Sequence, residues 1–170
     1  MSRRLFGKLP AHGDFVARGI AADARDRLDH WLAAEMERAR ARWGEDFDAR
    51  YAAAPVWHFV DGDAASGWSG GILCASMDRV GRLFPLIVAD PASDCAAAVA
   101  ASGGCLALTG QAFAEGWTAD QLMAAPLIAE SLPWQPSGAG WALVGEDGPV
   151  AECGGPRPEG VIERMLEMAA

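Results

Sequence analysis

Four residues carry the side chains of a nucleophile, a base and two carboxylates at short spacing. His12 and Asp14 sit two apart in a glycine-bearing stretch, and Ser76 and Asp78 sit two apart after an apolar run. On paper they assemble a small hydrolase: Ser76 attacks, His12 takes its proton and an aspartate orients the ring. The local pattern argues against it. Ser76 lies in Cys74-Ala75-Ser76-Met77-Asp78 and lacks the G-x-S-x-G elbow that exposes a nucleophile. Turn chemistry accounts for the same residues, with Asp14 in a turn or cap and Asp78 at the first corner of a hairpin turn. The other histidines are His30 and His58, and no pair has H-x-x-x-H spacing. Cys74, Cys95, Cys105 and Cys153 form no C-x-x-C, so they read as small hydrophobes rather than metal ligands or a disulfide framework. Gly7-Lys8 is followed by Leu9, which breaks the phosphate-loop pattern, and no G-x-G-x-x-G occurs. The sequence therefore predicts no catalytic residue, no metal and no other cofactor, and the hydrolase stays as an alternative.

These loops need elements to hold them. Residues 5–9 form an apolar run ended by Pro10, a first strand, and 10–19 read as a loop. The clearest helix spans 23–43, where Leu28, Trp31, Leu32, Met36, Ala39 and Trp43 recur at three- and four-residue spacing. Asp23 is placed to cap it and Gly44 to stop it. Strand formers crowd 56–60 and 72–77. Asp78-Arg79-Val80-Gly81 then connects to 83–89, too short a link for anything but antiparallel neighbours. Pro85 inside that last run points to an edge strand or a bulge. Residues 92–125 favour helix, interrupted at Gly103-Gly104. Thr118 with Gln121 makes a capping box for a short helix that Pro126 ends. Strands at 141–144 and 150–153 pair across Glu146-Asp147-Gly148, and a last helix covers 158–169. Without regular βαβ alternation or repeats, the expectation is α+β: a single domain over 1–170 with a largely antiparallel sheet flanked by helices.

The chain has 170 residues, 51% hydrophobic and 22% charged, with a net charge of −9. That balance disfavours nucleic-acid binding and docking on anionic membranes. Residues 1–50 carry 10 basic and 9 acidic side chains, whereas 51–170 carry 4 and 14. Lys8 is the only lysine. Ser2-Arg3-Arg4-Leu5-Phe6 is similar to a twin-arginine signal, but Asp14 and Arg18 interrupt the apolar stretch such a signal needs. No membrane insertion is expected, and the expected location is the cytoplasm. Of the seven tryptophans, Trp31, Trp43 and Trp57 fit core positions. Trp68, Trp117 and Trp134 fall in expected loops, where an exposed ring would meet a partner.

Two strings carry a family resemblance. The first is Gly7-Lys8-Leu9-Pro10-Ala11-His12-Gly13-Asp14-Phe15-Val16; the second runs from Gly71 through Ser76-Met77-Asp78-Arg79-Val80-Gly81-Arg82-Leu83-Phe84-Pro85 to Leu86. With Ala54-Pro55-Val56-Trp57-His58-Phe59 between them, residues 5–90 resemble TagF (ImpM), an accessory family of bacterial type VI secretion loci. The resemblance implies a cytoplasmic, non-enzymatic regulator, a post-translational repressor that binds and sequesters an Fha-type forkhead-associated scaffold protein. A structural subunit of the apparatus is the other type VI reading. The resemblance also implies a longin-like interaction fold, and it offers no catalytic residues. The surface it marks comprises Lys8, His12, Gly13, Asp14, Phe15, Ser76, Asp78, Arg79, Gly81 and Arg82. Both strings end predicted strands, so we expect 7–16 and 76–85 to meet at one end of the sheet. There Asp14 would accept hydrogen bonds from Arg79, Arg82 or backbone amides.

Overall fold

The structure, a computed structural model, describes residues 2–169. Its strands are β1 (Arg4–Gly7), β2 (Val16–Arg18), β3 (Trp57–Asp63), β4 (Gly67–Cys74), β5 (Leu86–Ala92), β6 (Gly140–Val144) and β7 (Pro149–Gly154). They form one sheet in the order β2-β1-β5-β4-β3-β6-β7, with antiparallel pairing throughout. Helices α1 (Ala22–Trp43), α2 (Phe47–Ala52) and α5 (Val161–Glu167) cover one face, and α3 (Cys95–Glu115) and α4 (Ala119–Ala124) cover the other. Because both faces are covered, central strands send alternate residues into different cores. Phe6, Leu73 and Ile87 join the α1 side, while Leu5, Ile72 and Val88 join the α3 side. The C-terminal elements belong to the same sheet: β6 pairs with β3 from Trp57↔Leu143 to Val60↔Gly140. Buried Glu35 of α1 accepts hydrogen bonds from Arg38 and from the amides of Gly160 (3.1 Å) and Ile162 (3.3 Å), which fixes α5 against α1.

The α+β class, the antiparallel sheet and the Thr118–Gln121 capping box agree with the sequence reading. Several details differ. The expected loop 10–19 contains β2, which pairs back on β1. Asp23 does not cap α1; the N-cap is Ala21, and Asp23 instead pairs with Arg27 one turn on. Pro85 marks no sheet edge: it precedes β5, which lies between β1 and β4, and the missing proline amide is outside the ladder. Gly103-Gly104 does not interrupt α3. A Cβ at Gly103 would lie 2.4 Å from the Glu130 carbonyl, and one at Gly104 2.3 Å from that of Ile128. The pair therefore lets the segment after α4 lie directly on the helix. By length and apolar composition α3 meets the criterion for a membrane span, yet it packs against β3, β4 and β5 as a core helix. Trp134 is buried, and Trp68 and Trp117 are half-buried, so none of these three is an exposed partner-binding ring. All four cysteines are free; Cys74 and Cys105 are buried and the other two half-buried.

Candidate functional site

The two motif segments meet at the end of β1 and β5, as expected, but a different aspartate joins them. Gly7 closes β1 at φ +130°, and a Cβ there would lie 2.0 Å from the Pro85 carbonyl, so the backbones approach as only glycine allows. That approach delivers Lys8 into the turn between β4 and β5. Its Nζ lies 3.0 Å from Asp78 Oδ2 and donates to the Arg82 carbonyl at 3.2 Å. Asp78, whose side chain has no exposed surface, also accepts from Arg82 Nε (2.7 Å) and from the amides of Arg82 (3.0 Å) and Val80 (3.1 Å). Burial alone would raise its carboxyl pKa. The Arg82 amide, Lys8, the Arg82 guanidinium and the Val80 amide overcome that and hold it well below the usual carboxylate range. Asp78 is thus a fully used structural anion, and its place at the corner of the hairpin turn agrees with the turn reading.

The remaining bonds cross between the segments. Arg82 Nη2 donates to the Gly13 carbonyl at 2.7 Å, and the Arg79 amide to that of His12 at 2.7 Å. Ser76 Oγ donates to the Lys8 carbonyl at 2.7 Å. Tyr51, from α2, holds the other side of Ser76 through its hydroxyl. His12 Nε2 accepts from the Ala119 amide at 2.9 Å, so His12 completes the N-terminus of α4. Asp14 is exposed and, among the described residues, accepts only the neighbouring Phe15 amide (2.8 Å). The expected contact of Asp14 with Arg79 or Arg82 does not form: those arginines reach the backbone of the first segment instead. The hydrolase constellation does not assemble either. Ser76, His12 and Asp14 each have separate partners, and none bonds another.

Outward from this anchor the surface is apolar, with the charged ends of Asp14 and Arg79 exposed on it. Phe15 is 46% exposed, Met77 43% and Val80 69%. The Phe15 ring is fixed edge-on to Phe84 at 4.8 Å, and Lys8 Nζ stands 5.2 Å from its centroid. Arg79 is exposed and its guanidinium has no partner among the described residues. Gly81, at φ +85°, closes the turn that presents Val80. Beside the turn runs a groove of about 500 Å³ lined by Pro10, Tyr51, Met77, Leu83 and Phe113. Sequence reasoning missed Tyr51, Met77, Val80 and Phe84. Apolar residues inside a turn string were the available signal for Met77 and Val80. Among the described residues no group of three or more His, Cys, Asp or Glu side chains is placed to hold a metal ion.

Comparison with known proteins adds three findings. A family model described as the TagF N-terminal domain, type VI secretion system-associated, matches residues 4–126, a span that includes both motif segments. No curated protein matches. The chain is similar to the crystal structure of PA0076 from Pseudomonas aeruginosa PAO1, with a TM-score of 0.62, 22% identity, and coverage of 97% of this chain and 94% of that one. At that identity the likeness concerns the fold.

Proposed function

The chain belongs to the TagF family of type VI secretion-associated proteins, and from that premise we propose that it regulates type VI secretion by binding rather than by turnover. In this reading it is a cytoplasmic, post-translational repressor. It sequesters an Fha-type forkhead-associated scaffold and lowers the free scaffold available for assembly by mass action. One observation carries the binding reading: the buried Asp78 anchor fixes the two motif loops against each other while Phe15, Met77, Val80 and the Arg79 guanidinium face outward. Aromatic, methionine and arginine side chains suit a protein interface, and the turn backbone and the Phe15 ring that Phe84 packs against are already ordered before docking.

Affinity capture from cytoplasm with and without the scaffold gene tests this, together with effector export on overproduction. The parent chain should capture the scaffold and silence export. Val80→Asp and Arg79→Glu should lose both at unchanged melting temperature, because neither side chain has an internal partner. Asp14→Ala should leave the melting temperature unchanged. Soluble, overproduced parent protein that leaves export intact refutes the repressor role.

A further inference from the structure

A second cavity lies on the α1 face of the sheet, away from the motif loops. The fully buried residues of α1 are Leu32, Glu35, Met36 and Ala39, all in its later turns. In its first turns Ala24, Leu28 and Trp31 are only half-buried, although they face the sheet. Beneath them is a cleft of about 360 Å³ floored by Phe59 and Trp141. That is within the size range of small-molecule sites, roughly 300–1,000 Å³. The aromatic floor is fixed: Phe59 and Trp141 centroids are 4.6 Å apart, and Trp31 meets Trp141 at 5.7 Å. Both indole N–H groups are already used, Trp31 on the Pro158 carbonyl (3.3 Å) and Trp141 on that of Gly155 (3.0 Å). The floor is therefore apolar, shows only small parts of the buried Phe59 and Trp141 rings, and offers no free donors.

The rim supplies the polarity. Arg4, Arg27 and Arg157 line the cleft with a single carboxylate, Asp61, an inversion of sign in a chain of net charge −9. Arg27 is engaged by Asp23, and Arg4 donates one N–H to Ser69 Oγ. Arg157 has no ion pair or hydrogen bond among the described residues. We propose that this cleft binds an apolar, ring-bearing carboxylate, its ring between the half-buried Leu28 and Trp31 and the apolar floor, and its anionic end in the fork of Arg157 and the remaining donors of Arg4. A planar carboxylate suits a guanidinium fork. Asp61 weighs against a dianion.

Calorimetric titration with 2-naphthoate, uncharged 2-naphthamide and 2-naphthyl phosphate tests the assignment on the intact chain. Two variants serve as controls: Arg157→Glu, on an exposed loop, and Ala24→Phe, which fills the cleft from the exposed half of α1. Naphthoate should saturate at one per chain, with naphthamide about tenfold weaker or worse. Arg157→Glu should weaken naphthoate about fivefold, and Ala24→Phe should abolish binding at unchanged melting temperature. The assignment is overturned by the absence of saturable binding, by equal affinity for the amide, by tighter binding of the phosphate, or by naphthoate binding that survives Ala24→Phe.

Discussion

Replacing Lys8 by methionine isolates the anchor of the motif surface. The side chain is almost fully buried, and its Nζ makes a 3.0 Å ion pair with Asp78 and a 3.2 Å hydrogen bond to the Arg82 carbonyl. Stripping one partner from a buried pair costs about 3–5 kcal/mol when the other charge is left alone. Asp78 is not left alone: Arg82 Nε and two amides still bond it. Methionine also keeps most of the apolar stem of lysine in place. What is lost is one charge-assisted contact and one carbonyl partner, together about 2 kcal/mol. For a chain of this length that lowers the melting temperature by about 4–8 °C. Asp78→Asn should cost more than Lys8→Met, because the buried ammonium then has only a carbonyl. The Asp78 carboxyl titrates below its unfolded value of about 3.9. Its contribution is therefore full above that value and is lost as pH falls through the lower, folded value. Thermal melts of parent, both single variants and the double variant, at pH 7 and pH 3, read all of this. A Lys8→Met melting temperature within about 1 °C of the parent would refute the anchor, since it would make the ion pair energetically idle.

Two further predictions concern the rest of the fold. Burial pulls the His58 ring down to about 4 from 6.5, so the unfolded chain takes up a proton that the folded one refuses. Stability should fall as pH drops from 6.5 towards 4, by about 3 kcal/mol in all. His58→Gln should flatten that slope in denaturant titrations across the range; a slope equal to the parent's would contradict it. Gly104→Ala should lower the melting temperature despite the better helix propensity of alanine, because the new Cβ meets the Ile128 carbonyl at 2.3 Å. Gly110→Ala, with open space at its Cβ, should instead stabilise by about 0.4–1 kcal/mol, and the same sign for both would refute the packing account.

Periodicity makes much of this architecture legible in the amino-acid sequence alone. The stripe from Leu28 to Trp43 gave α1, and the short Asp78–Gly81 link gave the β4–β5 pairing. Local rules failed where tertiary contact reversed their meaning. Gly103-Gly104 reads as a helix break because glycine weakens an isolated helix; here the absent Cβ atoms admit the 127–130 backbone, and the helix runs through. Pro85 reads as an edge signal because a proline cannot donate to a ladder; it stands one residue outside β5. β2 is too short for a period to declare itself, so only its pairing with β1 reveals it.

The choice between Asp14 and Asp78 shows what a motif does and does not specify. Both follow the pattern of a carboxylate in a turn, and both lie in segments that meet. Sequence spacing fixes that the two loops carry compatible charges, but not which carboxylate points inward. The geometry that decides it is the close approach at Gly7, which places Lys8 under the β4–β5 turn and leaves no room for solvent around Asp78. Once Lys8 and Arg82 converge there, Arg82 spends Nε on Asp78, and Nη2 takes the Gly13 carbonyl rather than a second carboxylate. Asp14 is then released to solvent beside Phe15 and contributes charge to the surface without holding it together. A carboxylate that holds the loops and one that only colours their surface are therefore separable by mutation. Loss of Asp78 removes the platform on which Phe15 and Val80 are displayed, and loss of Asp14 changes only what a partner meets.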